Sequence, residues 1–273
     1  MPFSDLRLAR RLERAEGHAC VRFAEARRRL FPASDAEWIE CAGAYAVFDG
    51  ITSPVTQSFG LGIFEKLTED TLHTIERFFL DRGAPVLHEV SPLAGAGALG
   101  LLCARRYKPV EISNVMYRPL GQSAAVESAD DIRVRITGPE EAGVWASVTA
   151  RGWTREYPEL REFLEQTTAI SSARRDSPCF LAELRGEPGA AASLSIHDGV
   201  ALFAGAATIQ ELRRKGLQAA LLQERLRYAS EQGCDLAMMV AEAGSESQRN
   251  AERKGFRIAY TRMKWQLFPI SES

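Results

Sequence analysis

The spacing of apolar residues in the second half of the chain predicts strands and helices in alternation. IRVRI (132–136) alternates apolar and polar residues, which is typical of a half-buried strand. VALFAGAATI (200–209) is apolar at almost every position, as expected for a central strand covered on both faces. Gly205 within this run indicates a bulge or the close approach of a ligand. The residues that follow have helical spacing up to Gly233, which predicts a helix beginning at Gly216 or Leu217.

The other elements of this half are predicted from capping and turn residues. Thr137 and Glu140 form a capping box that begins one helix, and Pro158 suits the first turn of a second. Strands at 178–184 and 189–197 form a hairpin around a glycine-containing turn. A strand over 234–243, a short helix ending at Gly255 and a last strand over 256–267 complete the order β-α-α-β-β-β-α-β-α-β.

The first half repeats the later part of this order. A helix over 68–83, a strand over 84–90, a helix over 95–107 and a strand over 108–120 match the second half when shifted by 150 residues, which places Gly83 on Gly233. Coincidence among common α/β elements is the alternative. The polar, aperiodic stretch 119–130 is the predicted linker. We therefore predict an α/β protein with a mixed sheet, built from two copies of one fold in domains 1–120 and 130–273, the first copy being eroded.

Composition and charge exclude several function classes. The 273 residues are 45% hydrophobic and 26% charged with a net charge of −2, as expected for a soluble globular protein without a nucleic-acid or membrane footprint. The N-terminus lacks an apolar signal core, so a cytoplasmic location is expected. Five cysteines without a C-x-x-C pair and four scattered histidines predict no metal site and no readable histidine dyad.

Two short strings match the phosphate-loop pattern [QR]-x-x-G-x-[GA] to different degrees. QSFGLG (57–62) fits it fully, but it lies in an alternating run over 55–63 that predicts a strand, and the next helix begins only near Thr68. RRKGLQ (213–218) fits less well, yet it lies between a buried strand and a helix start. Its cations and Gly216 suit a pyrophosphate, so RRKGLQ is the predicted cofactor loop.

Two longer segments carry a family resemblance. ATIQELRRKGLQAALL (207–222) and SESQRNAERKGFRIAY (245–260) resemble signature segments of the GNAT superfamily of acyl-CoA N-acyltransferases. The resemblance covers roughly 130–267 and, in degenerate form, the first half. It implies acetyl-CoA as co-substrate, without a metal. By position, it assigns the pyrophosphate to the amides of Arg214, Lys215, Gly216, Leu217, Gln218 and Ala219, and the pantetheine arm to Ala206, Thr208, Ser247 and Asn250.

The resemblance also implies direct attack of an amine on the thioester in a ternary complex. An amide near Thr208 would stabilise the oxyanion. The superfamily often has a tyrosine as the acid on the short helix, but this chain has Ala251 there, so Ser247 is the substitute candidate. Glu242, at the end of a central strand, is the candidate base. A helix cap is the alternative for Ser247, and a solvated strand end is the alternative for Glu242.

The acceptor is the least determined part of the prediction. Trp153, Glu156 and Tyr157 lie where the superfamily builds its acceptor pocket, although Trp153 could equally be core packing. The acceptor class is a small-molecule or peptide amine, and the protein is expected to be a monomer or a homodimer. Two other functions stay open: an inactive acyl-CoA-binding sensor or scaffold, and a partner-binding module in which RRKGLQ is only a basic helix start.

Overall fold

The computed structural model describes residues 3–121, 131–153, 161–174 and 176–268. Most of the predicted linker and the predicted helix start at Pro158 lie outside these residues. The helices are α1 (Leu6–Leu30), α2 (Glu69–Leu80), α3 (Gly95–Ala104), α4 (Ala142–Trp153), α5 (Arg161–Ser172), α6 (Leu217–Glu231) and α7 (Glu246–Arg253). The strands are β1 (Glu37–Cys41), β2 (Ala44–Phe48), β3 (Gln57–Phe59), β4 (Leu87–Val90), β5 (Tyr107–Pro119), β6 (Ile132–Ile136), β7 (Cys179–Leu184), β8 (Glu187–His197), β9 (Val200–Thr208), β10 (Leu236–Glu242) and β11 (Arg257–Leu267).

The chain divides into two compact units by its internal contacts. The first unit comprises Met1–Tyr117 with Val240–Ser273, and the second comprises Arg118–Met239. This division differs from the predicted domains 1–120 and 130–273 at the C-terminal end, and the domain assignment stays a prediction. The predicted mixed α/β fold is confirmed, because each unit has a sheet with both parallel and antiparallel pairs, flanked by helices.

The second unit is a sheet covered by helices on both faces. Its strand order is β10-β9-β8-β7-β6, with β10 and β9 parallel and the rest antiparallel. Successive strand residues point to opposite faces. Leu181 accordingly packs in one cluster with Trp145 of α4, while the ring of Phe180 contacts Tyr228 of α6 edge-on. The central position predicted for the apolar run 200–209 is therefore confirmed.

The first unit contains the last strand of the chain. Its sheet order is β1-β2-β3-β4-β11-β5, so β11 lies between β4 and β5. β11 is antiparallel to both neighbours, and its register runs from Arg257 opposite Tyr117 to Leu267 opposite Tyr107. Residues from both ends of the sequence thus share one core.

The predicted repeat is visible in the order and position of the elements. β3, α2, β4, α3 and β5 of the first half correspond to β9, α6, β10, α7 and β11 of the second. Adding the offset of 150 to Glu69, the start of α2, gives 219, two residues after the start of α6 at Leu217. Adding it to Tyr107 gives 257, the start of β11.

Three local predictions need correction. The strand predicted over 55–63 is only β3, because Gly60 and Gly62 adopt φ of +77° and +76° and turn the chain. The capping box lies one residue later than predicted, since the Glu141 carboxylate accepts from the amide of Gly138 while the Thr137 hydroxyl donates to the carbonyl of Cys179. Strand β8 begins earlier than predicted, at Glu187.

Three elements precede the first predicted one: α1, β1 and β2. Helix α1 begins at its N-cap Asp5, whose carboxylate accepts from the amide of Leu8. Its apolar stripe packs against β2 and β3. The helix therefore covers one face of the first sheet.

No helix in the described part of the chain is long and apolar enough to cross a membrane. Within the same residues, no group of three or more His, Cys, Asp and Glu side chains is arranged to hold a metal ion.

A buried hydrogen-bond chain crosses the core of the first unit. Ser58 Oγ lies 2.6 Å from His88 Nδ1, His88 Nε2 lies 2.9 Å from Tyr107 Oη, and Tyr107 donates to Glu76 at 3.1 Å. Since the Tyr107 proton goes to Glu76, its oxygen accepts from Nε2–H of His88, and Nδ1 accepts from the Ser58 hydroxyl. Glu76 is also paired with Arg105. His88 is therefore held as a neutral imidazole.

Replacing His88 with glutamine is expected to change the pH dependence of stability. Burial lowers the pKa of His88 from 6.5 to about 3. The unfolded chain therefore binds a proton below about pH 6.5 that the folded state rejects, so stability falls as the pH falls. Relative to His88→Gln, the wild type should lose about 2 kcal/mol of unfolding free energy between about pH 7 and pH 5. Urea denaturation of both proteins across this range measures the difference, and parallel pH profiles would contradict the prediction.

Candidate functional site

The loop between β9 and α6 turns the backbone sharply at two left-handed residues. Arg214 has φ of +64° and Gly216 has φ of +90°. A side chain at Gly216 would be strained at this φ, and a Cβ there would lie 3.2 Å from Ile132 Cδ1. The glycine of RRKGLQ is thus required by the backbone conformation.

Helix α6 begins directly at this turn without a side-chain cap. Gly216 is the N-cap and provides no side-chain hydrogen bond to the first turn, and no bond from this turn to a side chain is seen within the described residues. The first four amides of a helix have no partner inside the helix. The amides of Leu217, Gln218 and Ala219 therefore remain available, and the helix dipole adds partial positive charge. Gln218, which replaces the expected second glycine, leaves these backbone donors in place.

Positive side chains surround this helix start. Arg214 and Lys215 are exposed. Neither forms an ion pair with another residue in the described ranges. Arg213 is held differently: its guanidinium donates to the carbonyl of Gly152 at 3.2 Å and to that of Thr208 at 3.4 Å. Arg213 therefore fixes the loop to the end of α4, while Arg214 and Lys215 can contribute charge to an anion.

Two glycines outside the loop allow close packing around it. A Cβ on Gly152 of α4 would lie 2.7 Å from the Cβ of Ala207 and 3.1 Å from the amide nitrogen of Thr208. A Cβ on Gly189 of β8 would lie 2.5 Å from Leu212 and 2.7 Å from Leu217, one at each end of the loop. Sequence reasoning missed both glycines. The signal was present for Gly152, because a glycine inside a helix often has a packing reason.

Strand β9 has the bulge predicted at Gly205. In the register with β8, Ala207 lies opposite Ala191 and Ala204 lies opposite Ser193, so β9 has one extra residue between these pairs. Gly205 adopts φ of +61°, which a side chain would disfavour. The bulge interrupts the ladder just before Ala206 and Thr208.

Backbone groups of Ala206 and Thr208 face away from β8. The amide of Ile209 donates to the carbonyl of Gly189 on β8. Because hydrogen-bonding direction alternates along a strand, the backbone groups of Ala207 also point toward β8. The parallel pairing of β9 with β10 is described only from Val200 to Leu202. The outward amides therefore form an edge to which an extended ligand could pair, although the Thr208 carbonyl already accepts from Arg213.

A buried cation lies beneath the bulge. Arg225 of α6 is 2% exposed and donates to the carbonyl of Ser193 at 3.2 Å, and its guanidinium lies 4.9 Å from the ring centre of Phe203. Burial lowers the pKa of Arg225 to about 9, so the side chain still carries its charge at neutral pH. Arg225 thereby stabilises the position of Ser193, the β8 residue that lies opposite Ala204. Its neighbours in sequence, Glu224 and Leu226, gave no signal for this contact.

The other candidates lie in the first unit. Ser247 and Asn250 are exposed on α7, and Ala251, at the position of the expected tyrosine, is 1% exposed. The cap of α7 is Ser245, whose hydroxyl accepts from the amide of Gln248 at 3.2 Å. The helix-cap alternative for Ser247 is therefore wrong, and its hydroxyl is not used as the cap.

Glu242 is the last residue of β10, and its side chain is exposed. Its carbonyl accepts from the amide of Ser245, which links the end of β10 to the start of α7. The structure gives the Glu242 carboxylate no ion-pair partner among the residues it describes. A free carboxylate at this position suits a base and equally suits a solvated strand end.

The predicted acceptor residues are only partly described. Trp153 is the last residue of α4 and is half-buried. Glu156 and Tyr157 lie outside the described residues. The predicted acceptor pocket therefore stays a prediction.

The space around the backbone turn of the competing string QSFGLG is occupied by neighbouring side chains. A Cβ on Gly60 would lie 2.7 Å from the Phe64 ring, and Arg10 donates to the carbonyls of Ile63 and Phe64. The following helix α2 is capped by Thr68, and its first turn carries two carboxylates. This geometry presents carbonyls and negative charge where a pyrophosphate would need amides and positive charge.

Comparison with protein families matches one segment of the chain. Residues 145–256 match the model of the acetyltransferase (GNAT) family. This segment is a GNAT-family domain. The match includes β9, α7 and the loop before α6, so the resembling segment 207–222 and most of the segment 245–260 lie in the matched region. No curated protein matches the sequence.

Solved structures extend the similarity in fold beyond this segment. The GCN5-related N-acetyltransferase from Kribbella flavida is 18% identical, with a TM-score of 0.66 over 92% of this chain and 96% of that one. A GCN5-related N-acetyltransferase from Sphaerobacter thermophilus is 19% identical, with a TM-score of 0.58 over 78% and 72%. A tandem GNAT protein from the clavulanic acid biosynthesis pathway is 12% identical, with a TM-score of 0.57 over 83% of each chain. At these identities the similarity shows the fold alone, and that fold includes a tandem GNAT arrangement.

Proposed function

We propose that the protein is an N-acyltransferase that transfers an acetyl group from acetyl-CoA to an amine. The observation that carries the proposal is the start of α6, where uncapped amides follow a left-handed glycine and two exposed cations. A helix N-terminus of this kind binds phosphate groups through its amides and its dipole. The family match over 145–256 supports an acyl-transfer function in general.

The residues of the loop fit a pyrophosphate. The amides of Leu217, Gln218 and Ala219 would donate to its oxygens, and Arg214 and Lys215 would offset its charge. The outward backbone groups of Ala206 and Thr208 would pair with the pantetheine arm as an added strand does. Ser247 and Asn250 stay assigned to this arm by resemblance.

Acetyl-CoA, when bound, would supply a thioester whose C–S bond breaks as the new N–C bond forms. The Thr208 amide would donate to the acyl oxygen as negative charge develops on it. Glu242 would accept the proton that the amine loses. Ser247 would donate a proton to the leaving sulfur, although a thiolate with a pKa near ~8.5 can leave without one.

A panel of amines with acetyl-CoA tests the proposal. We expect thiol release with at least one class among alkyl amines, amino acids, aminoglycosides and peptides with a free N-terminus, together with the acetylated product in the mass spectrum. Cys103 is a free, exposed thiol that a thiol reagent can reach, so protein without amine is the necessary background. Absence of product with every amine would overturn the catalytic proposal.

One observation favours a non-catalytic acyl-CoA-binding protein as the second candidate, namely Ala251 in place of the tyrosine. That candidate predicts binding without turnover. Coenzyme A at about 100 times its Kd should then still stabilise the fold by roughly 2.7 kcal/mol. A partner-binding module predicts no shift of the thermal midpoint with coenzyme A.

A further inference from the structure

Helix α7 depends on polar contacts for its position. Of its eight residues, only Ala251 is buried. A helix of two turns is not stable by itself in water. A single buried methyl group does not fix how the helix is rotated about its axis. The residue that can fix this rotation is Gln248.

Gln248 ties the first turn of α7 to Gly244, Asn114 and Ser245, and its Nε2 also donates to Glu252 one turn along the helix. Its Oε1 accepts from the amide of Gly244 at 2.8 Å and from Asn114 Nδ2 at 3.0 Å. Its own amide donates to the cap hydroxyl of Ser245. Gly244 and Ser245 are local to the helix start. Among the described residues, the bond to Asn114 is the side-chain contact that joins this turn to β5, in addition to the backbone bond from Ser245 to the end of β10.

Asn114 belongs to β5 in the first half of the chain and is 4% exposed. Its Oδ1 accepts from the hydroxyl of Thr261 at 2.6 Å, on the facing residue of β11. Because Thr261 donates to the side-chain carbonyl of Asn114, the side-chain amide group of Asn114 is oriented to donate to Gln248. The Asn114 side chain is thus held in one orientation by β11 and holds α7 in turn.

We propose that Asn114 is a positioning residue for acyl-CoA binding: the eroded first half supplies the side chain that sets α7 and thereby Ser247 and Asn250. This inference rests on the proposed function, because α7 matters for binding only if its exposed residues contact acyl-CoA. It gives the first half of the chain a specific task in the reaction.

Replacing Asn114 with leucine removes the bond to Gln248 at similar volume. The Kd of coenzyme A should rise roughly tenfold, the effect expected for losing one buried hydrogen bond that orients a binding element. The KM of the amine should stay within about twofold of the wild type. Gln248→Leu should have at least the same effect, and the double variant should bind no more weakly than Gln248→Leu, because both substitutions remove the Asn114–Gln248 bond. Titration calorimetry with coenzyme A measures the three values.

Thr261→Val is the matched control. It removes the other hydrogen bond of Asn114, on the same pair of strands, but leaves the bond to Gln248. Because the bond from Asn114 to Gln248 remains but is oriented less firmly, the Kd of coenzyme A should rise clearly less than in Asn114→Leu. A Kd raised equally by Thr261→Val and Asn114→Leu would overturn the proposal, since both variants would then act through general loosening of the sheet.

The outcomes separate the inference from the proposed function. Wild-type protein that does not bind coenzyme A would overturn both. Wild-type binding with an unchanged Kd in folded Asn114→Leu would overturn only the role of Asn114. If Asn114→Leu does not fold, the Kd of Gln248→Leu tests the inference instead. Gln248 is partly exposed, so its replacement should leave the protein folded. An unchanged Kd in Gln248→Leu overturns the inference, and a tenfold increase supports it.

Discussion

Replacing Gly216 with valine should abolish coenzyme A binding. Gly216 has φ of +90°, which a β-branched residue adopts only with strain of roughly 1–2 kcal/mol or more. The new Cβ would also lie 3.2 Å from Ile132. Relief of this strain rotates the backbone, and the amides of Leu217 to Ala219 then no longer converge. We expect the Kd to rise about a hundredfold or more, which corresponds to roughly 3 kcal/mol.

Gly186→Val is the matched control for this experiment. Gly186 has φ of +85°, in the turn between β7 and β8, and no atom lies within 4 Å of a Cβ placed there. The variant has the same kind of backbone strain at a position outside the loop. Both variants should therefore lose stability, but only Gly216→Val should lose coenzyme A binding, as measured by titration calorimetry. Retained binding in folded Gly216→Val would show that the loop assignment is wrong.

Replacing Arg262 with methionine should strongly destabilise the protein. Arg262 is 2% exposed and lies among three carboxylates: 3.3 Å from Glu13, 2.6 Å from Glu16 and 3.0 Å from Glu89. Burial raises the pKa of Glu13 and of Glu89, and the Arg262 charge opposes this effect. Without the guanidinium, buried carboxylates lose their counter-charge. Breaking a buried pair in this way costs about 3–5 kcal/mol.

Urea denaturation of Arg262→Met and Lys264→Met tests this expectation. Lys264 also contacts Glu89, at 3.4 Å, but its side chain is 17% exposed, so its loss should cost only about 1 kcal/mol. Carboxylates with a folded pKa above the unfolded value make stability fall as the pH rises through that folded pKa. The loss of unfolding free energy caused by Arg262→Met should therefore be smaller near pH 5 than near pH 7.5. Equal deficits at both values would mean that Glu13 and Glu89 are not the groups left unpaired.

The conformation of the RRKGLQ loop was predictable because its signal is local. A buried strand, a glycine and a helix start are consecutive in sequence, and the left-handed Gly216 and uncapped amides of α6 follow from that order. The bulge at Gly205 was predictable for the same reason. QSFGLG was less accurately predicted, since alternating apolar residues outweighed two glycines that in fact turn the chain.

The contacts that the sequence did not reveal join residues far apart along the chain. Arg213 reaches Gly152, and Arg225 reaches Ser193 beneath the bulge. The partners of Arg262 come from α1, up to 249 residues away in sequence, and from β4. A single sequence does not show which residues far apart along the chain contact each other.

The sequence by itself determined most of the elements from residue 57 onward and their order, and it predicted their repeat and which of two glycine loops suits a pyrophosphate. These depend on local backbone preferences and on apolar periodicity. Only the tertiary structure decided that β11 lies between β4 and β5, that Asn114 holds α7, and that the first loop is filled by Phe64. Strand partners and buried ion pairs are chosen by the packing of the whole core, because many pairings satisfy the same local pattern.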